Sequence, residues 1–466
     1  MSAQHPGRTL LVVSSAAFLA SLDLFIVNIA FPAIRADFPG SDLAQMSWVL
    51  NGYTVVFAAF LAVAGRLADR FGHKRVFLVG LAVFTLASAA CAAAPSVALL
   101  VAARAVQALG ASMLTPTSLS LLLAAYPAER RAHAVGIWAS IGAVAAALGP
   151  PLGGLLVEAS WHWVFLVNLP VAGAALVAGV RVLDESAHLR TGMPDLVGAI
   201  GLVVGVGALA WALVRAPDTG WADPQVTLGL VAAVAGIGFV VIRSRRHPEP
   251  ALDLAVLRHG PAALASTAML VFTAGFAALL VVNVLFLTGT WGYPAPLAGL
   301  ALAPGPLVVV VVARFSGRLQ DRFGIGPLAA AGGLVFAAGT AWWALRAGAE
   351  PDYLGVLLPG QLGTGLAVGL ILPALSSAVG TYLTPAQWGS GSSLINTARQ
   401  IGSVLGIAAV VTIVGTASTG AVGDLPLLRH GWVFLVVTGL ATAMLGAGLA
   451  VARRPVSQPQ PVPDPR

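Results

Sequence analysis

Two charged residues stand where charge is expensive. Asp23 lies inside the apolar stretch 9–30, and Arg104 lies inside the apolar stretch 97–125. A charge held at the centre of a bilayer costs roughly 2.5–3.5 kcal/mol on insertion scales, so such groups are functional by default. Water-poor surroundings favour the protonated form of a carboxyl, and a carboxyl that gains and loses a proton inside a membrane can carry one across. Arg does not titrate usefully; beside Asp23 it would stabilise the charged form and tune it. Asp23 sits about 14 residues into an outward-running helix and Arg104 about 7 into an inward-running one, so at ~1.5 Å per residue both reach the outer half of the membrane. Structural alternatives are a protonated Asp23 bonded to neighbouring backbone, and an Arg104 that snorkels to the headgroups.

Three further groups of residues could do work. Gly149-Pro150-Pro151-Leu152-Gly153-Gly154 combines two prolines, which remove helix donors and bend the backbone, with glycines that let another helix approach closely; it reads as a hinge or a tight seam. Asp69 lies just past the inner end of a span among Arg66, Arg70, Lys74 and Arg75, where a carboxylate can pair with Arg or cap a helix N-terminus. Asn51, Tyr53, Gln107, Trp138, Asn283, Gln361, Asn396 and Arg399 are polar or amphipathic groups within spans. Each alone reads as helix–helix glue; about half are expected to line a cavity.

These residues need membrane-spanning helices to hold them. Of 466 residues, 58% are apolar and 9% carry charge, against about 25% charged in an ordinary soluble domain. Soluble enzymes, disordered chains and disulfide scaffolds are excluded; Cys91 is the one cysteine. The apolar runs are continuous rather than alternating, which excludes an outer-membrane barrel. Fourteen segments are long enough to span. With the N-terminus inside, 19 Lys and Arg fall in inner loops, 4 in outer loops and 2 within spans. That asymmetry supports both termini on the cytoplasmic side. The Pro-rich stretch 453–466 reads as a disordered tail.

The chain repeats itself. Gly65-Arg66-Leu67-Ala68-Asp69-Arg70-Phe71-Gly72 returns as Gly317-Arg318-Leu319-Gln320-Asp321-Arg322-Phe323-Gly324, with seven of eight positions identical at an offset of 252 residues. The copies fall eight spans apart, not six, which implies two spans inserted between six-helix halves. Repeated halves with a midplane site between them are how many secondary transporters are built. The predicted organisation is an N-terminal half at 1–190, inserted helices and linker at 191–258, a C-terminal half at 259–452 and the tail.

Here a family resemblance becomes specific. Gly65 to Arg75 is similar to the loop signature of the major facilitator superfamily, with Gly65, Asp69, Arg70, Gly72, Lys74 and Arg75 in place and a weaker second copy around Asp321. Leu22 to Pro32, Arg104 to Gly110, Gly149 to Gly154, Trp161 to Pro170 and Asn396 to Gly402 resemble motifs of its fourteen-span drug/proton antiporter branch (EmrB/QacA type). Ala108, Ala145 and His162 depart from the usual Gly, Gly and Arg. The resemblance implies an all-α major facilitator fold of fourteen helices, proton coupling through Asp23 and Arg104, a gate latch at the 65–75 loop and an antiporter hinge at Gly149, Pro150, Pro151, Gly153 and Gly154.

The function that follows is proton-driven export of hydrophobic small molecules across a bacterial cytoplasmic membrane, by a monomer with no cofactor, no metal and no nucleic-acid partner. A symporter or facilitator importing a metabolite is the alternative within transport, and the antiporter motif argues against it. An intramembrane serine protease using Ser392 and His430 fails because the two fall at opposite membrane faces. A phosphate-binding Gly-x-x-x-x-Gly-Lys-Ser/Thr loop is absent from the sequence. The scarcity of intramembrane carboxylates points away from dications and toward neutral, anionic or monocationic substrates.

Overall fold

In hydrocarbon every backbone N–H and C=O must find its partner within the segment, so continuous apolar runs become helices. The computed structural model describes residues 6–41, 43–185, 192–383, 388–415 and 424–452, and the described elements are all helical. The predicted tail lies outside them.

The N-terminal group comprises α1 (Pro6–Asp37), α2 (Leu43–Phe71), α3 (His73–Ala92), α4 (Val97–Ala125), α5 (Ala128–Ala159) and α6 (Trp163–Val182). Next come α7 (Leu196–Thr219) and α8 (Pro224–Ser244). The C-terminal group is α9 (Gly260–Thr290), α10 (Ala295–Phe323), α11 (Ile325–Arg346), α12 (Tyr353–Val379, continuing to 382), α13 (Trp388–Gly415) and α14 (Leu425–Val451). Thirteen of these contain windows long and apolar enough to cross a membrane among the described residues; the 32-residue α5 takes the place of the fourteenth.

Within the first group, α1 packs on α4, α5 and α6, α3 on α4 and α6, and α2 on α4. In the last, α9 packs on α13 and α14, α11 on α12 and α14, and α10 on α12. The groups meet along two seams, α2 against α13 and α5 against the start of α10. The inserted α7 lies on α2 and α13 outside the first seam, and α8 packs on α7.

The repeated motif has a structural meaning that the word loop understates. Residues 65–71 continue α2, and 317–323 continue α10. Each helix then stops at the motif's last glycine, Gly72 at φ 100° and Gly324 at φ 84°. Only glycine enters this region without strain, so the repeat encodes a helix stop and a reversal.

Candidate functional site

The charged pair forms. Asp23 of α1 and Arg104 of α4 are 0% and 1% exposed. Arg104 Nη1 donates to Asp23 Oδ2 at 2.5 Å and to Gln107 Oε1 at 2.6 Å. Arg104 Nε donates to the Val49 carbonyl at 3.1 Å, and the guanidinium lies 4.1 Å from the centre of the Tyr53 ring. Arg104 and Gln107, three apart on α4, share a helix face, so one turn of α4 presents both to α1.

The second carboxylate oxygen is also satisfied. Gln107 Nε2 donates to Asp23 Oδ1 at 2.9 Å and to Ser88 Oγ at 2.8 Å. Asn168 Nδ2, near the start of α6, reaches Asp23 Oδ1 at 3.3 Å and Ser88 Oγ at 3.4 Å. Every group on Asp23 is therefore a donor. An ionised carboxylate accepts only, whereas a protonated one must donate; this geometry is that of the carboxylate. A proton arriving on Asp23 must displace one of these hydrogen bonds.

Among the eight residues considered for the cavity, the structure sorts sharply. Gln361 and Arg399 border a 430 Å³ cavity between the halves, walled mainly by apolar side chains of α1, α5, α9, α10 and α12. Gln107 and Tyr53 belong instead to the Asp23 cluster. Asn283 accepts from the Trp432 indole at 3.0 Å, as helix–helix glue. Asn396 donates to the Ser392 carbonyl of its own helix at 2.9 Å. Asn51 and the Trp138 indole nitrogen are buried without a hydrogen-bond partner among the described residues, and neither borders this cavity.

The Gly-Pro-Pro-x-Gly-Gly run lies within a continuous α5. Gly149 and Gly153 face Phe25 and Ile26 of α1. A methyl group on Gly154 would stand 2.5 Å from the Ala295 carbonyl oxygen of α10, and one on Gly299 would meet the Pro150 carbonyl. The run is thus one wall of the α5–α10 seam, with backbone touching backbone.

At the other end of the bundle, Lys74 donates through its backbone N–H to Glu185 Oε1 at 3.1 Å and through Nζ to the Val180 carbonyl at 3.0 Å. Arg75 lies 3.7 Å from Glu185, and Arg66 pairs with Glu249 at 3.1 Å. Asp69 faces His73 at 3.3 Å. In the second copy, Gln320 accepts from Ser377 of α12, and Asp321 is exposed. Sequence reasoning gave no role to Ser88, Asn168, Glu185 or Glu249. Asn168, a polar residue in an apolar segment and inside a quoted motif, carried a usable signal; a serine in an Ala-rich span carried none.

With this geometry in hand, the family model described as Major Facilitator Superfamily matches residues 13–407. The chain belongs to the Major Facilitator Superfamily. This superfamily member is 33% identical to the Multidrug resistance protein Stp of Mycobacterium tuberculosis, over 97% of this chain and 85% of that one. It is 32% identical to the Methylenomycin A resistance protein of Bacillus subtilis, covering 97% and 94%. The Tetracenomycin C resistance and export protein of Streptomyces glaucescens is 33% identical over 90% of this chain and 77% of its own. Among solved structures, a point mutant of the nucleoside transporter NupG aligns with a TM-score of 0.66 at 11% identity, over 95% of this chain and 98% of that one. At that identity the likeness concerns the fold. The two seams and the Asp23 cluster thus sit in a multi-pass transporter of this superfamily.

Proposed function

We propose that this superfamily member is a proton-coupled antiporter that exports hydrophobic small molecules across the bacterial cytoplasmic membrane, with both termini in the cytoplasm. The resistance and export proteins to which it is similar support the direction of transport and the class of cargo. The apolar 430 Å³ cavity is within the range of about 300–1,000 Å³ typical of small-molecule sites.

One observation carries the coupling. Asp23 and the cavity-lining Phe25 stand two residues apart on α1, so the same helix borders the proton site and the cargo site. In the cycle, protonation of Asp23 cancels its attraction to Arg104 and turns an acceptor into a donor facing donors. The cluster must rearrange, and α1 shifts with it. Phe25 packs where Gly149 leaves room on α5, so movement of α1 is passed to the helix that forms the α5–α10 seam. A proton taken from the outer side lets that seam close and turns the cavity inward; loss of the proton to the cytoplasm and loading of cargo let the seam part again and release the cargo outside. The motif at 65–75, held through Lys74, Arg75 and Arg66, acts as the inner latch.

The test is uptake into inverted membrane vesicles under an imposed pH gradient, with a panel of lipophilic antibiotics. Accumulation that collapses when the gradient is dissipated supports the reading. Accumulation indifferent to the gradient contradicts it.

A further inference from the structure

The cavity between the halves has a charge of its own. Arg399 of α13 borders it, and neither a hydrogen bond nor an ion pair engages its guanidinium among the described residues. The described side chains that line the cavity include no carboxylate. Gln361, only 3% exposed, also borders it, and its Nε2 has no hydrogen-bond partner among the described residues. Thr364 differs: its hydroxyl proton is already given to the Gly360 carbonyl at 2.9 Å. Two donors thus face the cavity without a protein acceptor among the described residues, Gln361 Nε2 and the permanently charged Arg399, beside the Ser376 hydroxyl, which can donate or accept.

An arginine remains protonated in such a place, and an uncompensated charge in apolar surroundings is costly. Asp23 does not supply the counter-charge, because both its oxygens are engaged by the α4 and α6 donors. A ligand anion would. Its acidic group would take charge-assisted hydrogen bonds from Arg399, whose planar fork matches a carboxylate or sulfonate. A second acceptor on the ligand, a carbonyl or an ether, would satisfy Gln361. The apolar wall would receive the rest of the molecule.

We propose that the cargo site selects amphipathic monoanions: compounds with an apolar ring system and one carboxylate, acidic enol or sulfonate, bound through Arg399 and Gln361. This rests on the export reading for its cargo, but the charge preference is a property of binding and can be read without a gradient.

The test uses the full chain purified in nanodiscs and three fluorescent probes with a common apolar frame: dansylglycine (anion), dansylamide (neutral) and dansylcadaverine (cation). Affinities are measured by energy transfer from tryptophan, with protein-free nanodiscs as the blank. The expected order is anion, then neutral, then cation, with the anion about tenfold or more tighter than the neutral probe. In Arg399→Gln the ratio of anion to neutral affinity falls to near one, and in Arg399→Lys most of it is kept, since charge survives though the fork is lost. Were Arg399→Gln not to fold, the wild-type order and the Arg399→Lys ratio still decide. A cation bound as tightly as the anion, an anion preference that survives Arg399→Gln, or binding of none of the three overturns the proposal. Anion-selective binding without gradient-driven uptake of dansylglycine would leave the charge selection standing and remove the export reading instead.

Discussion

Asp23 and Phe25 lie on opposite sides of α1: the carboxylate faces Arg104, Gln107 and Asn168, and the ring faces the cavity and Gly149 of α5. Residues i and i+2 of an α-helix are about 200° apart, so a single helix separates the two sites while touching both. Proton and cargo need not meet, provided that α1 moves.

Arg104 and Asp23 are expected to behave as one unit. Removing one partner of a buried ion pair leaves the other uncompensated and costs about 3–5 kcal/mol. Arg104→Ala should therefore lower thermal stability in detergent and move the pH optimum of transport upward, since the proton must leave without a positive charge to compensate the carboxylate. Arg104→Lys should be milder. The double variant Arg104→Ala/Asp23→Asn should be no worse than Asp23→Asn alone. Losses that simply multiply, with an unshifted pH profile, would show independent residues.

Gln107 links Arg104, Asp23 and Ser88 through one amide. Gln107→Leu keeps the volume but strands buried partners, at about 1–3 kcal/mol. Gln107→Glu adds a second carboxylate beside Asp23 and should slow transport more than it lowers stability. Thermal unfolding and initial uptake rates, measured on both variants, check this; unchanged values for Gln107→Leu would mean that the amide is a bystander.

Fold and site were legible to different degrees, for a physical reason. Lipid leaves an apolar run few conformations, so helix positions followed from composition: the expected 97–125 span is α4, Val97–Ala125. Depth along a helix is also readable, and it placed Asp23 level with Arg104. The azimuth of a side chain is not, because it depends on which neighbour the helix meets. Gln107 and Tyr53 were expected at the cavity for that reason, and packing of α4 on α1 and α2 turns them to Asp23 instead. Glu185 and Glu249 were invisible because their partners lie 111 and 183 positions away.

The α5–α10 seam should not tolerate bulk. Gly154→Val places side-chain carbon against the backbone of Ala295 and Pro296, and overpacking costs about 1–3 kcal/mol. The expected result is a correctly inserted protein whose outer seam stays parted: cysteines placed at Ala295 or Val157 become reactive to impermeant maleimide from outside, and uphill transport falls by at least tenfold. Labelling identical to the parent would show that the seam does not close the cavity.

The α7–α8 hairpin is expected to stand aside from cargo. α7 packs on the outside of the α2–α13 seam, and α8 packs on α7. Single cysteines along Leu202 to Val240 should show no protection by transported compounds, whereas positions around Leu302 and Thr364, on the cavity side, should be protected severalfold. Strong protection within the hairpin would move the site out of the cavity.

The most direct measurement is gradient-driven uptake by Asp23→Asn in inverted vesicles, matched to wild type for expression and insertion. Asparagine keeps the shape and cannot exchange a proton. The account predicts that uphill accumulation of cargo is lost while exchange of cargo down its own gradient continues. Undiminished uphill accumulation by Asp23→Asn would contradict the central claim that this carboxylate couples proton to cargo.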